Sequence, residues 1–491
     1  MEQEWRKKLI WLLLGILLLI VLVLAGKKGM EREREPAEMP GEENHLPQEP
    51  PQAQVEPKPI PIPEYNGRIR VLLKTKDYGG VYHEEVQITD GEQSWSFQKE
   101  GDTYYLNGEP LKDSALPMRL EASEDGRLTL SSLERACGQP AYEGSLEVYG
   151  TGEGFVLVNE LSLEKYLKYV VPSEMPASYE LEALKAQAVC ARTYACMQMG
   201  AYAYPDYLAH VDDSVGFQVY HNLEEGEQSS QAVAETEGQV MTYEGQVINA
   251  YYFSTSCGHT GNEDVWWNGD SFQTPYLQGK SVNGSGEVLD LSGEEDFAAF
   301  LEQEDEGCYD RDMSWYRWEA HIDVDTLSDH MNEGLMSRYQ ANPEAIVNWR
   351  GGKFVSAPVK SVGKIQEIQV LERGAGGVLQ KIEVRGSRRT VQIMTEYNIR
   401  ALLNGNREIF YRGDGSQAKG GALLPSGYFT ITPEYEGEEL VGFLFQGGGL
   451  GHGVGMSQNG ANQMAKEGWN YSEILKFFYT GVDLTPVSAL Y

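Results

Sequence analysis

The chain has 491 residues, 41% of which are hydrophobic, and its formal net charge is −34. This length leaves room for two or three domains with real hydrophobic cores. The acidic balance argues strongly against nucleic-acid binding, which needs a basic footprint, and against docking on anionic lipid through a charged face.

Residues 1–26 are predicted to be a membrane anchor. Within them, residues 9–26 form an uncharged run of mostly Leu, Ile and Val, near the lower end of length for one membrane-spanning helix. A cleaved signal peptide is the alternative, but no A-x-A cleavage pattern follows the run, so an uncleaved anchor is favoured. Three basic residues precede the run and two follow it. From this slight bias we expect a single-pass protein of the cell membrane with its C-terminal body on the extracytoplasmic side.

Residues 27–65 are predicted to be an extended linker. Nine prolines fall between Met30 and Asn66, with Glu and Gln among them, and such a composition cannot bury a core. Short strand-like runs with Gly and Asp turns follow, of which Arg68–Lys74 is the first. They indicate a small β-rich domain over residues 66–148.

The larger region is residues 149–491, in which residues 285–360 are acidic and less regular. Phe155–Asn159 is a predicted strand, alternating strand-like runs return later in the region, and the last predicted helix is Tyr471–Tyr479. The pattern predicts an α+β fold, mostly antiparallel sheet, with one important helix buried against it.

Two helices are predicted near the start of this region. The first, Leu163–Val171, is expected to stop at Pro172, which lacks the N–H that a helix interior needs. The second is expected to be capped by Ser178 and ended by Gly200. Its interior is rich in Ala, so other backbone or a ligand can approach it closely.

Glu174 lies between these helices, with Pro172 and Pro176 on either side. The prolines restrict the backbone around the carboxylate, and a carboxylate held in this way is a candidate general acid and base. The alternative is a loop acid that merely precedes a helix.

Lys185 and Arg192 are seven residues apart on the second helix, so they share one face of it. Two cations on one face could hold a hydroxyl-rich or carboxylate-bearing ligand next to Glu174, while the alternative is a pair of solvated surface charges. A cation close to Glu174 lowers its pKa and burial raises it, so a working acid requires burial to prevail.

The segment Phe253–Gly261 places three consecutive hydroxyls, a thiol and a His beside two glycines. This polar loop could contact a ligand. A nucleophile at Ser256 or Cys257 with His259 as its base is a weak alternative, because the G-x-S-x-G pattern is missing and the residues are too close in sequence. A glycine-rich turn satisfied by hydroxyls is favoured over both nucleophiles.

The segment Gly447–Gln458 has six glycines in its first nine residues, a pattern that brings backbone close to something else. A phosphate-binding loop is the obvious alternative, but the run lacks the G-K-[ST] sequence. A single His among glycines does not make a metal site.

Taken together, these motifs resemble the SpoIID/LytB family of bacterial cell-wall proteins. The match runs from about residue 66 to 485 and rests on Val171–Pro176 with the helix behind it, on Phe253–Gly261, and on Gly451–Ala461. Some members carry a Cys/His zinc site after this helix, whereas residues 210–220 here contain one His and no Cys, so we predict no metal and no cofactor. The family often has Tyr where this chain has Asn459, which puts a stacking or hydroxyl contact in doubt.

The resemblance implies that residues 149–491 are a catalytic region and that Glu174 is the catalytic acid and base. The implied enzyme is a membrane-anchored lytic transglycosylase that cleaves peptide-free peptidoglycan strands with 1,6-anhydro ring formation, in sporulation. The alternative is a non-catalytic wall-binding or amidase-enhancing module. Expected partners are the glycan strands, the membrane and other cell-wall hydrolases. The predicted substrate-binding residues are Lys185, Gln187, Arg192, Tyr252, Ser254, Thr255, Ser256, His452, Met456 and Gln458.

Overall fold

The computed structural model describes residues 65–490, except 124–125, 136–137, 221–225, 267–273, 304 and 406–408. The predicted anchor and nearly all of the predicted linker lie outside the described residues. Among the helices that are described, none is both long enough and apolar enough to cross a bilayer.

The described residues contain eight α-helices. They are α1 (Leu163–Glu174), α2 (Leu181–Gln198), α3 (Glu227–Glu235), α4 (Glu294–Glu302), α5 (Val324–Ala341), α6 (Glu396–Leu402), α7 (Gln458–Lys466) and α8 (Tyr471–Phe478). The last helix ends one residue before the predicted boundary.

The strands in the same part of the chain are short. They are β1 (Arg68–Leu73), β2 (Val86–Thr89), β3 (Ser94–Glu100), β4 (Thr103–Leu106), β5 (Glu109–Leu111), β6 (Met118–Glu121), β7 (Leu128–Leu130), β8 (Ala141–Tyr142), β9 (Ser145–Thr151), β10 (Gly154–Ser162), β11 (Val211–Asp212), β12 (Gln239–Tyr243), β13 (Gln246–Val247), β14 (Tyr252–Phe253), β15 (Trp318–Asp323), β16 (Ile346–Arg350), β17 (Lys353–Val355), β18 (Ile365–Arg373), β19 (Leu379–Gly386), β20 (Thr390–Met394), β21 (Ile409–Arg412), β22 (Gln417–Lys419), β23 (Phe429–Glu436), β24 (Glu439–Gly447), β25 (Met456–Ser457) and β26 (Asp483–Pro486).

These strands form six sheets with the orders β11-β1-β10-β9-β6, β5-β4-β3-β2-β7-β8, β13-β12-β26, β14-β25, β22-β21-β15-β24-β23 and β17-β16-β20-β19-β18. Within the described residues, β1 with β11 and β14 with β25 are the parallel pairs of strands. The predicted α+β class with mostly antiparallel sheet is therefore confirmed.

The predicted boundaries at residue 148 and around residues 285–360 remain predictions, and strands pair across both. Strand β1 pairs along its whole length with β10, from Arg68 opposite Ser162 to Leu73 opposite Leu157. Strand β15, inside the acidic stretch, pairs with β24 near the end of the chain. Each of these two segments therefore contributes strands to a sheet whose other strands include some from outside that segment.

Helix α2 is buried on all sides and is shared by two hydrophobic cores. Ala188 and Ala191 belong to a core formed with β1, β10 and α1. Ala186 and Val189 belong to a second core formed with α7 and α8. Alanine side chains allow these elements to approach the helix closely from both directions, and a helix that is apolar all round is expected to be buried.

Two local predictions about the helices were wrong. Helix α1 continues through Pro172 to Glu174. Pro172 forgoes its own backbone bond, but the last turn still closes, because the Met175 N–H donates to the Val171 carbonyl at 2.9 Å. Helix α2 is preceded by Glu180, which makes no side-chain cap. Ser178 is therefore not the cap. The backbone N–H of Glu180 instead donates to Oδ1 of Asn462, on α7, at 2.9 Å.

Candidate active site

Glu174 is the last residue of α1 and its carboxylate is held by the segment that follows β11. The Val219 N–H donates to Glu174 Oε1 at 2.6 Å. Burial raises the pKa of Glu174 to about 7, against the opposing effects of the Val219 bond and of a bond from the Tyr252 hydroxyl. Both the protonated and the ionised form of Glu174 are therefore accessible near neutral pH, as a group that acts as general acid and then as base requires.

Three tyrosines surround this carboxylate. Burial raises the pKa values of Tyr166, Tyr194 and Tyr252, and the negative charge of Glu174 raises each of them further. Gln218 Nε2 donates to the Tyr252 hydroxyl at 3.2 Å and to the Ala191 carbonyl at 3.2 Å. Gln218 thereby fixes Tyr252, whose own proton is left to bond Glu174.

The two cations predicted beside Glu174 lie elsewhere, and neither contributes to its pKa. The Arg192 side chain is 0% exposed and pairs with Glu164 at 2.7 Å. Lys185 lies between Glu182, at 2.8 Å, and Glu235, at 2.7 Å. This corrects the prediction of two ligand-binding cations, because the face of α2 that carries them packs against α1 and α3.

Gln458, the first residue of α7, connects the C-terminal motif to Glu174. Its Nε2 donates to the Glu174 carbonyl at 3.1 Å and to Gln187 Oε1 at 3.4 Å. Gln187 is fully buried, and its Nε2 has no partner among the described residues. The predicted residues Gln187 and Gln458 thus lie together behind the carboxylate.

The two glycine-containing motifs meet as parallel strands, with Tyr252 opposite Met456. A Cβ at Gly455, where φ is +79°, would lie 2.0 Å from the Tyr251 carbonyl, so the close backbone approach predicted for the glycine run is to β14. Met456 is fully buried with its Sδ 3.9 Å from Cys190 Sγ. Its predicted role as a ligand contact is corrected, since it belongs to the core.

Asn459, on α7, bonds to both Ser254 and Thr255 and so holds them beside that helix. The Asn459 N–H donates to the Ser254 carbonyl at 3.0 Å, and its Nδ2 donates to Thr255 Oγ1 at 2.9 Å. The Tyr179 hydroxyl bonds to Asn459 Oδ1. Asn459 therefore organises the hydroxyl-rich loop at the position where the family pattern has Tyr.

Ser256 bonds to the buried carboxylate of Asp310, a residue that sequence reasoning missed. Asp310 also accepts from the Ser457 hydroxyl, at 2.8 and 2.9 Å, and Ser457 caps α7. Burial raises the pKa of Asp310 to about 6. The prediction of Ser256 as a substrate contact is corrected, because it joins the loop to the start of α7.

Asp310→Asn is expected to lower the free energy of unfolding by about 2 kcal/mol, since one acceptor oxygen becomes a donor that faces serine hydroxyls. Asp414→Asn is the matched control. Asp414 also accepts from two serine hydroxyls, those of Ser314 and Ser416, but it is exposed, so we expect a loss of less than about 1 kcal/mol. Urea unfolding of both variants at pH 7.5 measures the difference, and equal losses would contradict it.

His452 is packed among aromatic rings and does not act as a cation. Its ring centroid is 5.5 Å from that of Trp266 and 5.8 Å from that of Phe253. Burial lowers its pKa to about 4, and its Nδ1 accepts the Val454 N–H at 3.1 Å. The predicted substrate contact is therefore a neutral imidazole with both nitrogens close to backbone partners.

His259, the predicted base of the alternative nucleophiles, is occupied by other partners. His259 uses both ring nitrogens on backbone groups, the Thr260 carbonyl at 2.7 Å and the Leu289 N–H at 3.2 Å. The Cys257 thiol contacts the His259 carbonyl, and burial raises its pKa. Neither arrangement activates a nucleophile.

Residues 210–220, where some family members carry a zinc site, supply the backbone donor to Glu174 instead. His210 Nδ1 accepts the Arg70 N–H at 3.1 Å, and burial lowers its pKa to about 4. Over the described residues no three His, Cys, Asp or Glu side chains converge as metal ligands. No signal in the sequence singled out Gln218 or Val219, because their contacts are to residues more than 25 positions away.

Glu174→Gln is expected to remove a pH-dependent loss of stability. The pKa of Glu174 is about 7 in the folded protein and 4.5 ordinarily, so the unfolded chain releases its proton first as the pH rises. Wild type should therefore lose about 3 kcal/mol relative to the variant between pH 4 and pH 8. Urea unfolding of both proteins at the two pH values tests this, and a difference that does not change with pH would contradict it.

Comparison with known proteins gives two family models and several relatives. The SpoIID model, described as stage II sporulation protein, matches residues 151–243, and a domain of unknown function, DUF8618, matches residues 261–455. The first range contains Glu174 and α2, whereas Met456 and Gln458 follow the second.

Three relatives illustrate the similarity. The amidase enhancer of Bacillus subtilis (strain 168) is 29% identical over 324 residues, which are 65% of this chain and 40% of the relative. Stage II sporulation protein D of Bacillus amyloliquefaciens is 28% identical over 70% of this chain and 80% of its own length. An uncharacterized protein of Brachyspira hyodysenteriae (strain ATCC 49526 / WA1) is 30% identical over 74% of this chain and 75% of its own.

Proposed function

The chain belongs to the SpoIID family, and from that premise we propose that it is a membrane-anchored peptidoglycan lytic transglycosylase. It cleaves MurNAc–GlcNAc linkages of peptide-free glycan strands on the extracytoplasmic side of the membrane, during the engulfment stage of sporulation. The relatives named for sporulation and for amidase enhancement support a role at the cell wall. The particular reaction rests on Glu174.

The observation that carries the proposal is the carboxylic acid of Glu174, whose pKa burial raises to about 7, with no other described carboxylate among the groups that shift that pKa. Hydrolytic glycosidases generally use two carboxylates, one of them to activate water or to form a covalent intermediate. A transglycosylase that uses a hydroxyl of its own substrate needs one group that is acid first and base second. Glu174 suits that sequence because both of its protonation states are accessible near pH 7.

In the first step, Glu174 donates its proton to the glycosidic oxygen as the bond from that oxygen to muramyl C1 breaks. In the second step, the Glu174 carboxylate removes the proton from the muramyl C6 hydroxyl while the oxygen of that hydroxyl bonds to C1. The 1,6-anhydro ring closes, Glu174 is protonated again, and no water is consumed. The Val219 N–H and the Tyr252 hydroxyl stabilise the carboxylate between the steps.

The second candidate is a non-catalytic module that binds glycan and enhances an amidase. The similarity to the amidase enhancer over 65% of this chain favours it. In that case Glu174 and its tyrosines would bind the strand without cleaving it.

The deciding experiment incubates the full-length protein with peptide-free glycan strands and looks for 1,6-anhydromuramyl ends by mass spectrometry. If the protein is a lytic transglycosylase, such ends appear in amounts that grow with time. Strands that bind but remain uncut would leave the second candidate. Ends that are reducing instead of anhydro would indicate hydrolysis and contradict the proposed chemistry.

A further inference from the structure

Four aromatic side chains form a row beside the candidate active site. Ring centroids are 6.1 Å apart between Tyr194 and Tyr251 and 4.5 Å apart between Tyr251 and Trp266. The centroid of His452 is 5.5 Å from that of Trp266. These four residues, called the aromatic row below, are all partly exposed. The proposed reaction gives none of them a role.

Tyr194 connects the aromatic row to Glu174. Tyr251 and Tyr252 are consecutive, so their side chains project to opposite sides of the chain. Tyr252 bonds to Glu174, whereas the ring of Tyr251 lies against that of Trp266. Burial raises the pKa of Tyr194, and the charges of Tyr251 and Glu174 raise it further. Tyr194 therefore borders both groups, and the row begins next to Glu174 and extends away from it.

A carboxyl group accompanies the row. Glu263 and Trp266 begin and end a single 3₁₀ turn, in which side chains three residues apart project in the same direction. Burial raises the pKa of Tyr251, and the charge of Glu263 raises it further. The Glu263 carboxyl group therefore lies beside the two rings of the row that are closest to each other.

Glu263 has an acceptor oxygen that is not in use. Its Oε2 is buried and has no hydrogen-bond partner among the described residues. Burial raises the pKa of Glu263, and no described cation opposes that effect. Buried acceptors without a donor are uncommon and costly. A hydroxyl or N–H group of a bound ligand would provide the missing donor.

Aromatic rings with one acceptor beside them suit a neutral sugar. The C–H groups on one face of a sugar ring pack against the negative face of an aromatic ring, and the hydroxyl and acetamido groups at its edge need hydrogen-bond partners. A ligand carboxylate is disfavoured, because it would meet the Glu263 carboxylate as a like charge. N-acetylglucosamine is neutral, whereas the muramic acid of a peptide-free strand carries a lactyl carboxylate.

We propose that the aromatic row is a subsite for the N-acetylglucosamine residue next to the muramic acid at Glu174. The sugar ring packs on Trp266 and Tyr251, and one of its polar hydrogens bonds to Glu263 Oε2. The identity of the strand rests on the proposed function, because both neighbours of each muramic acid in such a strand are N-acetylglucosamine. A neighbouring subsite that takes only the neutral sugar fixes the register of the strand, so that muramic acid lies at Glu174.

The test measures binding of N-acetylglucosamine and of N-acetylmuramic acid to the full-length protein by saturation-transfer NMR titration. Trp266→Ala removes the stacking ring and should weaken N-acetylglucosamine about tenfold. Glu263→Gln keeps an acceptor oxygen but removes the charge. It should hold N-acetylglucosamine within about twofold of wild type and strengthen N-acetylmuramic acid about tenfold.

Trp349→Ala is the matched control, because Trp349 is 49% exposed and pairs with Phe354 in the β16–β17 hairpin. It should bind both sugars as wild type does. Wild-type affinity of Trp266→Ala for N-acetylglucosamine would overturn the proposal. An unchanged affinity of Glu263→Gln for N-acetylmuramic acid would overturn it too, and this conservative substitution decides the matter if Trp266→Ala does not fold.

The outcome is independent of strand cleavage, since neither monosaccharide contains a linkage to cut. Binding that follows these expectations without 1,6-anhydro ends from strands would leave the subsite and remove the proposed reaction. Anhydro ends without these binding changes would leave the reaction and remove the subsite.

Discussion

Glu174→Gln is expected to lower the rate at which 1,6-anhydromuramyl ends appear by at least about 100-fold, the usual contribution of a general acid and base. The amide keeps the size of the side chain and still accepts from the Val219 N–H, which lies 2.6 Å from Glu174 Oε1. What the variant loses is the proton that leaves and returns during the reaction. The measurement is the initial rate of anhydro-end formation on peptide-free strands, quantified by mass spectrometry.

Glu180→Gln is the control, since it makes the same chemical change at an exposed carboxylate close to Glu174 in the chain. We expect it to keep the wild-type rate. A Glu174→Gln variant as active as wild type would assign the chemistry to another residue. Loss of strand binding together with loss of product would instead indicate that the substitution disrupts the site at which the strand binds.

Arg192→Met is expected to lower the free energy of unfolding by about 3 kcal/mol, the lower end for breaking a buried ion pair. Arg192 bonds both carboxylate oxygens of Glu164 and donates to the Val233 and Gln239 carbonyls, each at 3.2 Å. Methionine fills part of the space but has no donor, so all four bonds from the guanidinium are lost. Urea unfolding followed by circular dichroism measures the loss.

Lys185→Met provides the comparison on the same face of α2. The carboxylates that Lys185 pairs with are partly exposed, with Glu235 at 44%, so the pair is screened and the loss should stay below about 1 kcal/mol. An Arg192→Met variant that is as stable as wild type but binds glycan strands weakly would contradict this expectation. Arg192 would then be a substrate-binding residue, as the sequence predicted.

The resemblance to a known family was sufficient to predict that the three motifs contribute to one site. Glu174, the hydroxyl-rich loop and the glycine-rich segment are adjacent in the fold, through the bond from Gln458 to the Glu174 carbonyl and the pairing of Tyr252 with Met456. The α+β class and the two strands named from the sequence, which correspond to β1 and β10, followed from alternation and turn residues. These features depend on local patterns and on motif order, which a single sequence retains.

The environment of Glu174 could not be predicted in the same way. Residue spacing placed Lys185 and Arg192 on one face of α2, but a helix buried all round has no solvent face to which that stripe can be assigned. The donor to Glu174 is a backbone N–H at Val219, and every residue type except proline supplies the same group. The partner of Ser256 is Asp310, 54 positions later, and only the folded chain shows that distance to be short.

Because α2 is shared between two cores, it limits where the chain can be cut into soluble fragments. The family model that contains Glu174 ends at residue 243, yet Ala186, Val189 and Cys190 are covered by side chains from α7, α8 and β25. A fragment cut at that boundary would expose an apolar stripe along the helix behind Glu174 and would lose Gln458 as well. The matched range that contains Glu174 therefore depends on residues after 455 for its packing, and a soluble fragment of this protein must retain the C-terminal helices.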